Sequence, residues 1–144
     1  MSDPKETARR SAEAMWAGDR ASQDLGMELL EVGPGTATLA MTVSDSMVNG
    51  HDTAHGGFIF ALADSAFAFA CNGYNQVTVA QNCTITYVSP GRIGDRLTAE
   101  AREVSRKGRS GIYDIRISNQ SGDLVAEFRG LSRTVKGTHL PDPA

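Results

Sequence analysis

Two cysteines, one tryptophan and no apolar run long enough to cross a bilayer set the first limits on this 144-residue chain. Neither Cys71 nor Cys83 has ligand companions at zinc spacing, so no metal site is expected. The opening residues, MSDPKETARR, lack the apolar core of a secretory signal, and both cysteines are therefore expected as buried thiols rather than a disulfide. The longest apolar-rich stretch, residues 58–71, is interrupted by Asp64 and Ser65 and falls short of the ~20 residues a spanning helix needs. A basic excess is missing too. Fourteen Lys and Arg against seventeen Asp and Glu give a net charge of −3, which argues against a nucleic-acid partner and leaves any anionic ligand to local cations. There is no Walker A loop, no Gly-x-Gly-x-x-Gly after a strand, no Gly-x-Ser-x-Gly and no His-Glu-x-x-His. These absences predict a cytoplasmic protein that meets no membrane and uses no separate cofactor.

What is present reads as one α+β domain over residues 1–144. Residues 5–18 are rich in helix formers and stop at Gly18, so residues 1–20 form an N-terminal helical segment. Gly33-Pro34-Gly35 reads as a hairpin turn, followed by a half-buried strand with Ala37, Leu39, Met41 and Val43 on one face. Residues 44–55 carry turn-forming types and read as an irregular loop. Gly56 to Asn72 is apolar nearly all round, which predicts a helix buried on most sides, with short side chains letting other backbone approach. Four strands follow: Val77, Val79, Cys83, Ile85 and Tyr87 share one parity, then Leu97, Ala99 and Ala101, then Tyr113, Ile115 and Ile117, and finally Ala126 and Phe128. Turn chemistry at Ser89–Arg92, Arg106–Arg109 and Asn119–Gly122 separates them. Residues 137–144 are expected to fray. An antiparallel sheet of five to six strands wrapped around one long central helix satisfies this order, and free strand edges invite pairing between subunits.

The anomaly is Asp64, a carboxylate in the middle of an apolar helix. Burying it ionised and unpaired costs several kcal/mol, and Asp is a poor interior helix residue. It is either a structural carboxylate bound to a nearby loop or a general base or nucleophile at a cleft, its pKa raised by burial. His55-Gly56-Gly57 stands just before the helix. Free backbone N–H groups at a helix start suit an oxyanion, and glycine lets a carbonyl approach closely. Gly57 is equally readable as part of the turn, and His55 as a loop-fixing imidazole or a contact to the substrate carbonyl or to the loop at Asn49. Eight residues separate Gly56 from Asp64, roughly 12 Å of helix axis at ~1.5 Å per residue. One helix does not easily bring both to the same atom, so a site shared between two subunits is expected. Arg92, Arg106, Lys107 and Arg109, in glycine-containing turns, are candidate phosphate contacts or simply solvated hairpin tips.

The stretch from Val48 to Asn72, with its His-Gly-Gly…Ala-Leu-Ala-Asp core, resembles the hotdog thioesterase superfamily, and in particular its phenylacetic-acid-degradation subfamily. Tyr87-Val-Ser-Pro-Gly91, Gly111-Ile-Tyr-Asp-Ile115 and Ala126-Glu-Phe-Arg-Gly130 extend the likeness over nearly the whole chain. The resemblance implies a hotdog fold, a homodimer with a continuous sheet and shared active sites, and often a dimer of dimers. It implies hydrolysis of acyl-CoA thioesters, aryl-acetyl compounds favoured, with coenzyme A as part of the substrate. Carried over by position, Asp64 activates water or attacks the thioester carbonyl, the Gly56 N–H stabilises the oxyanion, and His55 and Asn49 support the site. Gly57, the turn Ser89-Pro90-Gly91 and the basic hairpin Arg106, Lys107 and Arg109 meet the substrate and its nucleotide. One position departs from the subfamily: where its N-terminal helix offers an Asn, this chain has Gly18-Asp19. The alternatives are a non-catalytic acyl-CoA sensor on the same fold, which has no need of Asp64, and a hotdog hydratase or dehydratase working with a His and an acid.

Overall fold

The computed structural model describes residues 3–141. Helix α1 (Pro4–Gly18) starts where the sequence signals a start: the Asp3 side chain accepts from the Lys5 N–H, and proline occupies the first turn. A five-residue helix α2 (Arg20–Asp24), not anticipated from the sequence, follows at once because Asp19 caps it, accepting from the Ser22 N–H at 3.0 Å. Strands β1 (Glu28–Gly33) and β2 (Thr36–Thr42) make the expected hairpin. The long helix α3 (Gly56–Cys71) comes next, then β3 (Thr78–Tyr87), β4 (Arg96–Lys107), β5 (Ser110–Ser118) and β6 (Leu124–Thr134).

The six strands form one antiparallel sheet in the order β1-β2-β4-β5-β6-β3, so β3 crosses over to pair with the last strand and leaves its other side unpaired. The concave face of the sheet holds α3 against Leu39, Met41, Leu97, Ala99, Ile115, Ile117 and Phe128, all buried. This is the hotdog arrangement. Phe67 packs against both Tyr113 and Phe128, and Phe60 meets Phe128 edge-on with ring centroids 5.3 Å apart. The parities expected for β2, β4, β5 and β6 hold: Ala37, Leu39, Met41, Ala99, Ala101, Tyr113, Ile115, Ala126 and Phe128 all point inward.

Two expectations change. The parity proposed for β3 breaks at a bulge between Ala80 and Asn82, so Cys83 and Ile85 stay on the helix side while Val79, opposite Arg133, turns out to solvent. Helix α3 is also not buried evenly. Gly57, Ala61, Asp64, Ser65 and Ala68 form a partly open stripe at helical spacing on the side away from the sheet. Beyond β6, His139 and Leu140 both donate backbone N–H groups to the Asn75 side chain, and the His139 ring meets Asn72 at 2.7 Å. Those bonds dock the start of the segment expected to fray onto the end of α3; residues 142–144 lie outside the described residues. No described helix is long and apolar enough to cross a membrane.

Candidate active site

Asp64 sits at the centre of the open stripe of α3. Burial pushes its carboxyl above the usual carboxylate range, and among the described residues no cation or hydrogen-bond donor opposes that push. Its charge is felt by both thiols: burial first, and then Asp64, raise Cys71 to about 12 and lift Cys83 above the ordinary thiol range. Among the described residues no loop donor meets its carboxylate, which is half-buried yet approachable, the environment a general base requires. Neither thiol is ionised near neutrality, so neither competes as a nucleophile.

One residue along, the Ser65 hydroxyl lies 2.8 Å from that of Ser22. The Ser22 hydroxyl in turn donates to Asp19 at 2.7 Å, so Ser65 is the donor in the pair between the two serines. The α1–α2 junction is thereby fastened next to Asp64. Asp19 is committed to Ser22, and a Cβ at Gly18 would meet nothing within 4 Å. The Gly18-Asp19 segment is thereby tied to α3 one residue from Asp64.

At the start of α3, His55 is the helix cap: its Nδ1 accepts from the Gly57 N–H at 3.0 Å, which places the ring proton of the neutral imidazole on Nε2. The ring is thereby held against the first turn of the helix. The Phe58 N–H donates to the His55 carbonyl at 3.0 Å. The Gly56 N–H has no partner among the described residues, so it is the unused amide at the positive end of a 16-residue helix. Tyr87, at the end of β3, donates its hydroxyl to the Gly56 carbonyl at 2.7 Å. Asn49 organises the preceding loop: its Oδ1 accepts from the N–H groups of His51 and Thr53 and from the Thr53 hydroxyl, and its Nδ2 has no partner among the described residues.

The residues expected to meet the coenzyme fall into two groups. Ser89, Pro90 and Gly91 brace the loop that enters α3: the Gly91 carbonyl accepts from the Ala54 N–H at 2.7 Å, and the Ser89 hydroxyl donates to the Leu124 carbonyl at 2.5 Å. Arg106, Lys107 and Arg109 lie at the other end of α3, about 24 Å of helix away. There the Arg106 guanidinium stacks 3.6 Å over the ring of Tyr74 and donates to Gln76 at 3.2 Å. Arg106 is thus held by Tyr74 and Gln76, whereas Lys107 and Arg109 pair with no carboxylate among the described residues. Tyr74 and Tyr113 both donate to Oε1 of Glu103, closing that end of the barrel-like wrap. Sequence reasoning gave no role to Tyr87, Ser22 or Ser65. No local pattern in the sequence marks any of the three.

These features (a sheet wrapped on one helix, a lone carboxylate midway along it and an open amide at its head) coincide with a known pattern. The thioesterase superfamily profile matches residues 51–126, and the chain belongs to that superfamily, a class of enzymes that hydrolyse thioesters. It is 44% identical over 131 residues to the acyl-coenzyme A thioesterase PaaI of Escherichia coli K12, covering 91% of this chain and 94% of that one. The structure of E. coli PaaI, from the phenylacetic acid degradation operon, superposes with a TM-score of 0.93 at 42% identity over 94% of this chain and 99% of that one. The Thermus thermophilus protein TT0310 matches with a TM-score of 0.78 at 39% identity, over 81% of this chain and 98% of the other.

Proposed function

We propose that this chain hydrolyses acyl-CoA thioesters to the free acid and coenzyme A, with aryl-acetyl groups such as phenylacetyl and hydroxyphenylacetyl as the favoured class. The observation that carries the reading is Asp64: a partly buried, unpartnered carboxylate on the one open stripe of an otherwise enclosed helix. The activity of the E. coli relative, and the operon it comes from, supply the acyl-CoA and aryl-acetyl chemistry. In the reaction the Asp64 carboxylate takes a proton from water as the water oxygen attacks the thioester carbonyl, or itself attacks that carbon. The carbonyl oxygen becomes an oxyanion and is held by the Gly56 N–H. Collapse of the tetrahedral species breaks the C–S bond and releases the coenzyme A thiolate, which needs little protonic help to leave; where Asp64 itself attacks, a water then hydrolyses the resulting acyl–Asp64 anhydride to the free acid and restores the carboxylate.

Gly56 and Asp64 belong to one helix, more than two turns apart, so each reaction centre is built from Gly56 of one subunit and Asp64 of another. The bare edge of β3, with Val79, Tyr87 and Val88 exposed along or just beyond it, is the surface that supports this pairing. Antiparallel pairing of two such edges about a twofold axis sets the head of α3 in one copy beside the tail of α3 in the other. It also brings the Ser89-Pro90-Gly91 turn and the partner's Lys107 and Arg109 toward one another, and Asn49, His55 and Gly57 to the thioester end. Two such dimers pack into a tetramer working in the cytoplasm, with coenzyme A as part of the substrate and no separate cofactor.

Thiol release from a panel of aromatic and aliphatic acyl-CoAs, with wild type and Asp64→Asn side by side, tests the reading. Turnover that drops ~10²–10⁴-fold in the variant supports it. Saturable acyl-CoA binding without hydrolysis by the wild-type protein would replace it with a sensor.

A further inference from the structure

The backbone around Gly56 is held more completely than a helix start requires. The peptide preceding Gly56 is fixed through its carbonyl, where His55 O accepts from the Phe58 N–H at 3.0 Å. The peptide following it is fixed at both ends: the Tyr87 hydroxyl donates to Gly56 O at 2.7 Å, and the Gly57 N–H donates to His55 Nδ1 at 3.0 Å. A glycine between two free peptide planes has soft dihedrals. Here both planes are pinned, and the one group left over is the Gly56 N–H. The Tyr87 ring adds a wall, since a Cβ built on Gly56 would stand 2.9 Å from both Cζ and Oη of Tyr87. Tyr87 thus closes the space beside the Gly56 Cα.

We infer that Tyr87 is a positioning residue for the oxyanion amide: its hydroxyl and the His55 ring hold the peptide that follows Gly56, the Phe58 bond to the His55 carbonyl holds the peptide that carries the Gly56 N–H, and with both planes fixed about the glycine the amide is aimed before substrate arrives. The inference rests on the proposed thioester hydrolysis and adds to it a residue that does not touch the reacting atoms. Preorganisation explains why such a clamp matters. An amide that must reorient as charge develops contributes less to the transition state than one already in place, while ground-state binding changes little. The clamp also explains why a tyrosine stands at the bare edge of β3. Its oxygen reaches into the head of α3, while the strand that carries it is the one a second subunit would pair with, so pairing and amide alignment share a support.

Tyr87→Phe is the test, because it removes one oxygen and keeps the ring wall. Two readouts are needed. Steady-state kinetics on an acyl-CoA should show kcat falling about tenfold, less than the ~10²–10³-fold loss of an oxyanion donor itself, with KM within about twofold. Amide hydrogen exchange should show Gly57 exchanging several-fold faster while amides in the middle of β5 keep their rates. An unchanged kcat, or a rise in KM alone, would overturn the positioning role, as would unaltered exchange at Gly57. The second readout needs no substrate. If wild-type protein cleaves no thioester, the functional reading fails while the exchange at Gly57 still decides whether the clamp exists.

Discussion

Phe67 fills the space that a side chain on Gly130 would need: a Cβ there would stand 2.6 Å from Cε2 of the Phe67 ring and 2.7 Å from Cζ. Strand β6 can approach α3 this closely only because position 130 is bare, and the same ring stacks on Tyr113 and Phe128. Gly130→Ala is therefore expected to destabilise the fold by about 1–3 kcal/mol, the usual penalty for overfilling a packed core. Urea denaturation measures it; a variant as stable as wild type would mean that β6 can retreat from the helix at no cost.

Asp64 gives a pH prediction whose sign is fixed by its burial. The folded state raises this carboxyl above 3.8, so the fold favours the protonated form. The stability it contributes is present below pH 3.8 and is lost as pH rises through the higher, folded value. At neutral pH the ionised carboxylate is thus a burden on the fold, and Asp64→Asn should be slightly more stable than wild type there, the difference shrinking on acidification. Activity runs the other way. The base must be ionised, so kcat/KM should fall as pH drops through a midpoint above that of an ordinary aspartate, and this limb should disappear with the side chain. A variant less stable than wild type at pH 7 would recast Asp64 as a structural group.

Tyr113 is fully buried, and its hydroxyl donates to Glu103 at 2.8 Å beside the bond from Tyr74. Burial, and then Glu103, raise its pKa well above the ordinary phenol range, so the phenol stays protonated and remains a donor throughout the stable pH range. Tyr113→Phe should cost about 1.5–3 kcal/mol, typical of a hydrogen bond to a charged partner, with little effect on kcat. Thermal unfolding monitored alongside turnover separates the two effects.

Arg109→Ala should raise KM for acyl-CoA substrates several-fold while sparing a short thioester that lacks the nucleotide. The effect should weaken in high salt, because an exposed cation acting on phosphate is screened. Arg106→Ala should behave differently, lowering stability through the lost Tyr74 stack. Equal KM effects on both substrates would remove Arg109 from the nucleotide site.

Much of the fold was legible in the pattern of residues. The alternation at Ala37–Val43, Leu97–Ala101 and Tyr113–Ile117 translates directly into an inner sheet face, and the apolar run after His55 into the enclosed helix. Two features were not. The β3 bulge inverts the parity of Val79, and no local residue pattern marks it, because a bulge is settled by register with β6 across the chain. Helix α2 rests on the Asp19 cap in a five-residue segment too short to show periodicity. At the site, Asp64 and Gly56 stood out because each breaks a local rule. Tyr87 breaks none: a tyrosine on an edge strand is ordinary, and its meaning lies in a bond to a residue 31 positions earlier.

The sheet has two ends, and they are not alike. Helix α1 packs against β1, whereas among the described residues no strand pairs with the outer side of β3. Each copy thus has one bare margin and one that a helix lies beside. Strand addition that begins at β3 uses up both margins in a single step, leaving no template for a third copy. The asymmetry makes edge-to-edge association self-terminating, so the same open strand that would admit a partner does not seed a growing fibre.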